Sequence, residues 1–190
     1  MRETDAYTTA EQYYDTLLAD CAATSLPNSI QPDGTSCGTF SMEIPLHGIE
    51  KYCKQQSVTI GSYLQSALAE TLCRFTREAH PMFVTVSNGR AASSTLQHTV
   101  GMFVNTVPMV AHIREQSVAE FLQQTNADFQ AATLHENYPF ARIAADYGYK
   151  ADVNYAYQLG IIADNRIDGE EVTVGSFGLD TPKFKLCVLV

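Results

Sequence analysis

The sequence predicts a single α+β domain over residues 1–190, in which a mixed β-sheet carries its helices mainly on one face. Three observations predict this class. Several segments place apolar residues at every third or fourth position, which is typical of helices. Short runs rich in β-branched residues are typical of strands, and three such runs follow one another near the end of the sequence. The 190 residues are 45% hydrophobic, which suffices for a buried core without metal or disulfide.

Three of the predicted helices have recognisable first residues. Residues 9–12 and 117–120 match the capping-box pattern, in which Ser or Thr is followed three positions later by Glu or Gln. The pattern predicts helix starts at Thr9 and Ser117. Thr59 is predicted to cap the longest helix, whose core-facing side would be Ile60, Tyr63, Leu64, Ala67, Leu68, Leu72 and Phe75.

Six short runs are predicted to be strands. Residues 40–44 alternate apolar and polar side chains and stop at Pro45, after which a short helix is expected. Residues 82–87 form a short run rich in β-branched residues, which indicates a strand covered on both faces. The other predicted strands are residues 100–107, 153–161, 171–177 and 184–190.

Charge and composition exclude several classes of function. The net charge of −9 argues against nucleic-acid binding, which depends on attraction to phosphates. No apolar stretch approaches the ~20 residues of a membrane span, and no signal peptide is apparent. Five cysteines without a closely spaced pair indicate thiols in a reducing compartment and no structural zinc. We therefore expect a cytoplasmic protein without metal or membrane contact.

Two segments have unusual composition. Asn105 and Thr106 interrupt an apolar run, and their side chains need hydrogen-bond partners if they are buried. They could cap an edge strand or line a binding site. Residues 135–140, His-Glu-Asn-Tyr-Pro-Phe, could be a corner in which Tyr138 and Phe140 fill the core, or His135 could act in catalysis. Pro139 and Gly148 would bound a short helix over residues 140–147.

These segments resemble motifs of one family. Residues 100–106, Val-Gly-Met-Phe-Val-Asn-Thr, resemble the VGxFVNT motif of nonribosomal peptide synthetase condensation domains, and residues 135–140 resemble their HQDYPFE motif. Residues 84–90 resemble the strand and turn that end in Gly-Arg in that family. Residues 10–14 resemble the segment that opens the second lobe. The order and spacing of these segments are similar to the family over nearly the whole chain.

The resemblance implies a lobe with the fold of chloramphenicol acetyltransferase. Condensation domains have two such lobes and form amide bonds between aminoacyl or peptidyl thioesters, as in antibiotic biosynthesis. The reactants are carried by phosphopantetheine arms on carrier domains, and the lobe itself binds no cofactor. Their catalytic HHxxxDG motif ends the first lobe, and this sequence has no His-His pair. The resemblance thus implies a C-terminal lobe, part of a longer protein, that is inactive alone.

The resemblance also assigns residues and partners. The partners would be the N-terminal lobe and peptidyl carrier domains. No catalytic residue is expected here. The substrate-tunnel candidates are Ser87, Asn88, Arg90, Asn105 and Thr106. The motif residues expected to be structural are Gly101, Phe103, His135, Tyr138, Pro139 and Phe140.

Several positions depart from the family pattern. Val110 stands where the first motif usually closes with Arg, and Glu136, Asn137 and Ala141 replace Gln, Asp and Glu of the second. The family's later RDxSRNPL motif has no counterpart. These departures favour an alternative function, a non-catalytic module that docks carrier domains or organises a synthetase. In either case we expect an isolated lobe to self-associate through exposed apolar surface or the strand edge at residues 184–190.

Overall fold

A computed structural model provides the architecture. The structure describes residues 5–19, 21–27, 38–90, 94–158, 166–167, 169–171 and 183–190. The α-helices are α1 (Asp5–Leu18), α2 (Leu46–Gln56), α3 (Ile60–Thr76), α4 (Val118–Leu134) and α5 (Phe140–Asp146). A 3-10 helix spans Ser94–His98. The strands are β1 (Met82–Ser87), β2 (Asn105–Val110), β3 (Val153–Ala156), β4 (Arg166–Ile167), β5 (Glu170–Glu171) and β6 (Leu186–Leu189).

The described strands form one mixed sheet and one small hairpin. The order in the sheet is β2-β1-β3-β6. Strand β1 pairs antiparallel with β2 and parallel with β3, and β3 pairs parallel with β6. Strands β4 and β5 form a separate antiparallel pair. The predicted α+β class with a mixed sheet is confirmed.

The sheet has a core on each face because neighbouring residues of a strand point to opposite sides. Met82 and Val84 of β1 belong to a cluster with α1 and α5, whereas Phe83 belongs to a cluster with α3 and α4. Helix α2 packs on α3 and α4, so three of the described helices lie on one face. Helices α1 and α5 pack on the other face, in the same cluster as Met82 and Val84.

Two of the three predicted caps are present. The Thr59 hydroxyl accepts a hydrogen bond from the Ser62 N–H at 3.0 Å, and α3 begins directly after it. Ser117 and Glu120 form both bonds of a capping box at the start of α4. The predicted start at Thr9 is wrong. Thr9 lies inside α1, where its hydroxyl donates to the carbonyl of Asp5 at 2.8 Å, the bond that a helical Thr makes to the preceding turn.

The core-facing side of α3 is only partly the predicted one. Its buried residues are Ser62, Gln65, Ser66, Ala69 and Leu72. Leu72 is buried as predicted. Ala67 and Phe75 were also predicted to face the core, but both are exposed. The helix turns its small polar residues inward because their hydroxyls bond within the helix and to the neighbouring α4, for example from the Ser62 hydroxyl to Asn126 at 2.9 Å.

Two predicted strands are corrected by the structure. Residues 40–44 form no strand, and β2 covers residues 105–110 instead of 100–107. Residues 40–44 alternate and residues 100–104 are mostly apolar, but a strand also needs a neighbour to accept its backbone hydrogen bonds. Pro108 lies within β2 instead of closing it. A proline without N–H is tolerated there because β2 is at the edge of the described sheet.

The carboxyl-terminal runs are described in part. Strand β3 contains the first four residues of the predicted run 153–161, and residues 159–161 lie outside the described residues. Of the predicted run 171–177, only Glu171 is described, and it belongs to β5. Strand β6 falls within the predicted run 184–190.

Candidate functional site

The segment 84–90 and the motif segment 100–106 meet at one end of the sheet, where β1 ends and β2 begins. Ladder pairing places Ser87 opposite Asn105 and Val86 opposite Thr106. Because Ser87 and Asn105 are paired, their side chains project from the same face of the sheet, the face that carries α3 and α4. Ser87 is buried, whereas Asn105 and Thr106 are half-buried.

The turn after β1 needs glycine at one position. The Asn88 side chain accepts a hydrogen bond from the Arg90 N–H at 3.0 Å, which closes a tight turn around Gly89. Gly89 has a left-handed φ of 66°. A Cβ atom there would lie 1.7 Å from the carbonyl oxygen of Phe103. Only glycine allows both the backbone angle and this close approach.

Arg90 binds the loop that precedes β2. Its guanidinium donates hydrogen bonds to the carbonyls of Leu96, Thr99 (2.7 Å) and Gly101 (3.3 Å). The same guanidinium lies 4.6 Å from the ring centroid of Phe103, a cation–π distance. The N–H donors of one guanidinium therefore hold the loop at three carbonyls between residues 96 and 101.

The loop held in this way presents apolar side chains outward. Val100 is fully exposed and Met102 nearly so, whereas Phe103 is half-buried beneath Arg90. Asn105 donates through its amide to the carbonyl of Phe103 at 3.2 Å, within its own loop. The sequence left open whether Asn105 caps an edge strand or lines a binding site. This hydrogen bond to neighbouring backbone is the kind that a capping side chain makes, and it leaves the amide oxygen of Asn105 for another partner.

A buried carboxyl connects the second motif to the end of β1. The Ser87 hydroxyl donates a short hydrogen bond to Oε2 of Glu136, whose side chain is only 2% exposed. The other oxygen, Oε1, is buried and has no hydrogen-bond partner among the described residues. The sequence singled out Glu136 only as a departure from the family pattern, and no local signal connects it to a serine 49 residues earlier.

The rest of the second motif forms a packed corner between α4 and α5. His135 stacks on Tyr13 with ring centroids 4.3 Å apart, and burial lowers the pKa of its imidazole. Tyr138 is fully buried, and its ring centroid lies 5.5 Å from that of Tyr14. Burial raises the pKa of the Tyr138 hydroxyl to about 12. The structure places His135 in this packed corner, and its structural role there stays a prediction.

Pro139 and Phe140 complete this corner. Pro139 is the residue before α5, and its carbonyl accepts from the Arg142 N–H at 2.8 Å. Phe140 is half-buried and meets Tyr149 edge to face at 5.8 Å. The predicted helix 140–147 is confirmed with its last residue at Asp146. Gly148 follows with a φ of 63°, the usual backbone of a residue just after a helix.

A separate groove of about 420 Å³ lies between α3, α4 and the segment before α4. Tyr63 and Phe121 line its apolar part, and Arg74 and Arg114 are charged residues at its border. None of the motif residues lines this groove. No sequence pattern indicated this groove, because Tyr63 and Ala67, which line it, were predicted to face the core.

No described helix is both long and apolar enough to cross a membrane. Within the described ranges, no three His, Cys, Asp or Glu side chains are grouped so that they could hold a metal ion.

Solved structures define the class of fold. The chain is similar to SgcC5 from Streptomyces globisporus, with a TM-score of 0.66 and 16% identity over 81% of this chain and 38% of that one. It is also similar to the starter condensation domain of rhizomide synthetase, with a TM-score of 0.64 and 16% identity over 81% and 37% of the two chains. The fold is therefore that of part of a condensation domain, which confirms the predicted architecture.

The sequence comparison identifies the family. A sequence model of the condensation domain matches residues 1–165, so the chain belongs to the condensation-domain family. Malpinin synthetase from Mortierella alpina is 27% identical over 138 residues, which are 69% of this chain and 2% of that protein. Surfactin synthase subunit 1 from Bacillus subtilis is 31% identical over 111 residues, 56% of this chain and 3% of that protein. The chain thus spans a small fraction of the relatives that it matches.

Proposed function

We propose that residues 1–190 are the C-terminal lobe of a condensation domain that forms amide bonds between carrier-bound thioesters. In this reaction the amine nitrogen of one aminoacyl group attacks the thioester carbonyl carbon of the other. The carbon–sulfur bond breaks, the thiol leaves on its phosphopantetheine arm, and the amine releases a proton. Holding both reactants on tethered arms supplies much of the acceleration. The arms are substrates here, and no cofactor is assigned to this lobe.

One observation carries the proposal. Ser87 pairs with Asn105 of the first family motif in the β1–β2 ladder, and its hydroxyl donates a hydrogen bond to Glu136 of the second motif, so Ser87 links the two motifs at one end of the sheet. This supports a site whose geometry depends on both motifs. The matched region covers 38% of SgcC5, so a further lobe of comparable size would complete the domain.

We assign different roles to the tunnel candidates. Ser87 and Arg90 act as positioning residues, because Ser87 is buried against Glu136 and Arg90 is bonded to loop carbonyls. Asn88 is exposed, and Asn105 and Thr106 are half-buried at the same end of the sheet. These three side chains, next to the apolar loop 100–104, are the ones we propose to face the substrate arms. The other wall and the proton acceptor would come from the N-terminal lobe.

The test follows amide formation between two carrier domains loaded with aminoacyl groups. The chain alone is expected to give no more dipeptidyl thioester than a control without protein, as measured by mass spectrometry. Addition of an N-terminal lobe that carries HHxxxDG is expected to yield product. The matched control is the same lobe with the second histidine of that motif replaced by alanine. Product from this chain alone would contradict the assignment of catalysis to the other lobe.

A non-catalytic docking module is the second candidate. It is favoured by Val110, which stands where the family usually has Arg and is buried opposite Met82 in the core. A polar interaction expected at that position is thereby replaced by apolar packing. A chain that binds a loaded carrier domain in a pull-down, but gives no product with an active N-terminal lobe, would support docking over condensation.

A further inference from the structure

Two histidines lie opposite each other just beyond the β1–β2 ladder. Antiparallel pairing continues on both sides of them through two backbone hydrogen bonds. These run from the Ala111 N–H to the Pro81 carbonyl at 3.0 Å and from the Ile113 N–H to the Ala79 carbonyl at 3.2 Å. In this register His80 is the partner of His112. The pair occupies the position between two hydrogen-bonded pairs, where facing side chains come closest.

The two imidazoles have the separation of a chelating pair. Their ring centroids are 5.2 Å apart and their planes are inclined at 58°, so the rings are not stacked. A Zn–N bond of about 2.0–2.1 Å places the metal about 3.2 Å from the centroid of each imidazole that it binds. With the tetrahedral angle that zinc adopts, two bound imidazoles therefore have centroids about 5.2 Å apart. The separation in the structure matches that of two ligands on one ion.

Both rings can turn toward a shared ion. Alternation places His80 and His112 on the face of the sheet to which Met82 and Val110 project, the face that carries α1 and α5. His80 is exposed and His112 is half-buried. The second side-chain torsion of histidine has a broad energy minimum, so small rotations can aim one nitrogen of each ring at a common point.

The surrounding charges can accommodate a cation. Burial raises the pKa of the Asp128 carboxyl on α4, whereas its hydrogen bond from Gln124 and the charges of His112 and Arg114 act in the opposite direction. Asp128 therefore lies near enough to His112 for their charges to interact, and its carboxylate would attract an ion bound there. Arg114 is an opposing positive charge, but its guanidinium donates to Gln116 at 3.1 Å and borders the groove between α3 and α4.

We propose that His80 and His112 together bind one divalent transition-metal ion, with Zn²⁺ as the ion whose geometry fits best. Imidazole nitrogen suits zinc and neighbouring transition metals, whereas Mg²⁺ and Ca²⁺ prefer oxygen ligands. The described residues place no third His, Cys, Asp or Glu with the pair. Water fills the other two positions of the proposed tetrahedron. This two-ligand site differs from a structural zinc with four protein ligands, which the sequence argues against.

The ion would link the segment that leads into β1 to the segment that leaves β2. Within the described sheet β2 is an edge strand with β1 as its neighbour, so a metal link would add to the one ladder described for it. The histidine pair lies at the opposite end of this ladder from Ser87 and Asn105. Metal binding here is therefore separate from the proposed amide formation.

The first experiment is isothermal titration of the unmodified chain with Zn²⁺ in a buffer that does not chelate metals. His80→Ala and His112→Ala should each weaken binding at this site by about tenfold or more, the loss that even outer-shell changes cause at metal sites. The double variant should lose no more than either single one, because a chelate needs both rings. His47→Ala, which removes an exposed histidine of α2, is the matched control and should leave the affinity unchanged.

The second experiment measures thermal denaturation with and without Zn²⁺. The ion should raise the midpoint of the unmodified chain, because it binds the folded chain in which the two histidines face each other. His80→Ala should abolish this shift, and Mg²⁺ should produce none. Because His80 is exposed, its replacement should leave the fold intact, which circular dichroism verifies.

Three results would overturn the proposal. Equal Zn²⁺ affinity of the unmodified chain and His80→Ala would show that the ion binds elsewhere, for example at exposed Cys187. Losses that add in the double variant would indicate two independent weak ligands in place of a chelate. A loss with His47→Ala as large as that with His80→Ala would show that the pairing has no special role. None of these measurements depends on amide formation.

Discussion

The close approach of the turn after β1 to the loop before β2 can be tested with a single methyl group. Gly89→Ala would place Cβ 1.7 Å from the carbonyl oxygen of Phe103, so the two segments must separate until the contact exceeds 3.0 Å. Gly148→Ala is a matched control. Gly148 has nearly the same φ, 63° against 66°, but nothing lies within 4 Å of its added Cβ. The difference between the variants isolates the steric contact.

The magnitudes follow from these geometries. A left-handed backbone costs alanine about 1–2 kcal/mol, partly offset by about 0.4–1 kcal/mol of lost freedom in the unfolded chain. Gly148→Ala should therefore destabilise by about 1 kcal/mol. Gly89→Ala has the same cost and also separates Arg90 from its carbonyl partners and from Phe103. Those contacts contribute about 2 kcal/mol, so we expect a total of about 3 kcal/mol.

Urea denaturation followed by far-UV circular dichroism measures both variants. With a slope of roughly 2 kcal/mol per molar urea, the midpoint should fall by about 1.5 M for Gly89→Ala and about 0.5 M for Gly148→Ala. Equal midpoints for the two variants would refute the reasoning, because they would show that the loop does not contact the turn as described.

Three further predictions concern the same region and core. Arg90→Ala should destabilise the chain by about 2 kcal/mol, because the hydrogen bonds to the loop carbonyls are lost. Its control Arg74→Ala removes only an exposed i,i+4 ion pair and should cost about 0.5 kcal/mol or less, so comparable denaturation midpoints would contradict the prediction. Asn105→Ala should cost about 1 kcal/mol or less, because its amide makes one bond within its own loop; a larger loss would reveal a partner beyond Phe103. Burial raises the pKa of the Tyr14 hydroxyl above its ordinary 10.0, so the stability that this neutral hydroxyl contributes should be complete below pH 10 and be lost as the pH rises further. Thermal midpoints measured across this pH range, with Tyr14→Phe as the control, test this.

The sequence predicted those elements whose signals are local. A cap involves residues three positions apart, so Thr59 and Ser117 could be recognised without a fold. The buried strand β1 was recognisable because it is a short run rich in β-branched residues. The failure at Thr9 has the same origin, because a Thr followed by Gln three residues later fits both a cap and a helix interior.

Strand predictions were less successful, because alternation identifies a residue pattern and not a partner. Residues 40–44 alternate and residues 100–104 are mostly apolar, as strands can be, yet the described structure gives neither a neighbouring strand. The first segment remains exposed, and the second is held as a loop by Arg90. Whether a segment forms a strand depends on which edge lies beside it, and that is a property of the folded chain.

The sequence by itself determined the family, the mixed α+β class and the two motif segments, because residue identity and spacing carry that information. Only the tertiary structure decided what the motif residues do. Ser87 meets the buried Glu136, and Gly89 touches the backbone of Phe103, through the pairing of β1 with β2 and the docking of α4. Such contacts join residues that are far apart along the chain. Their geometry is fixed by packing of the whole sheet, so no local pattern in the sequence encodes it.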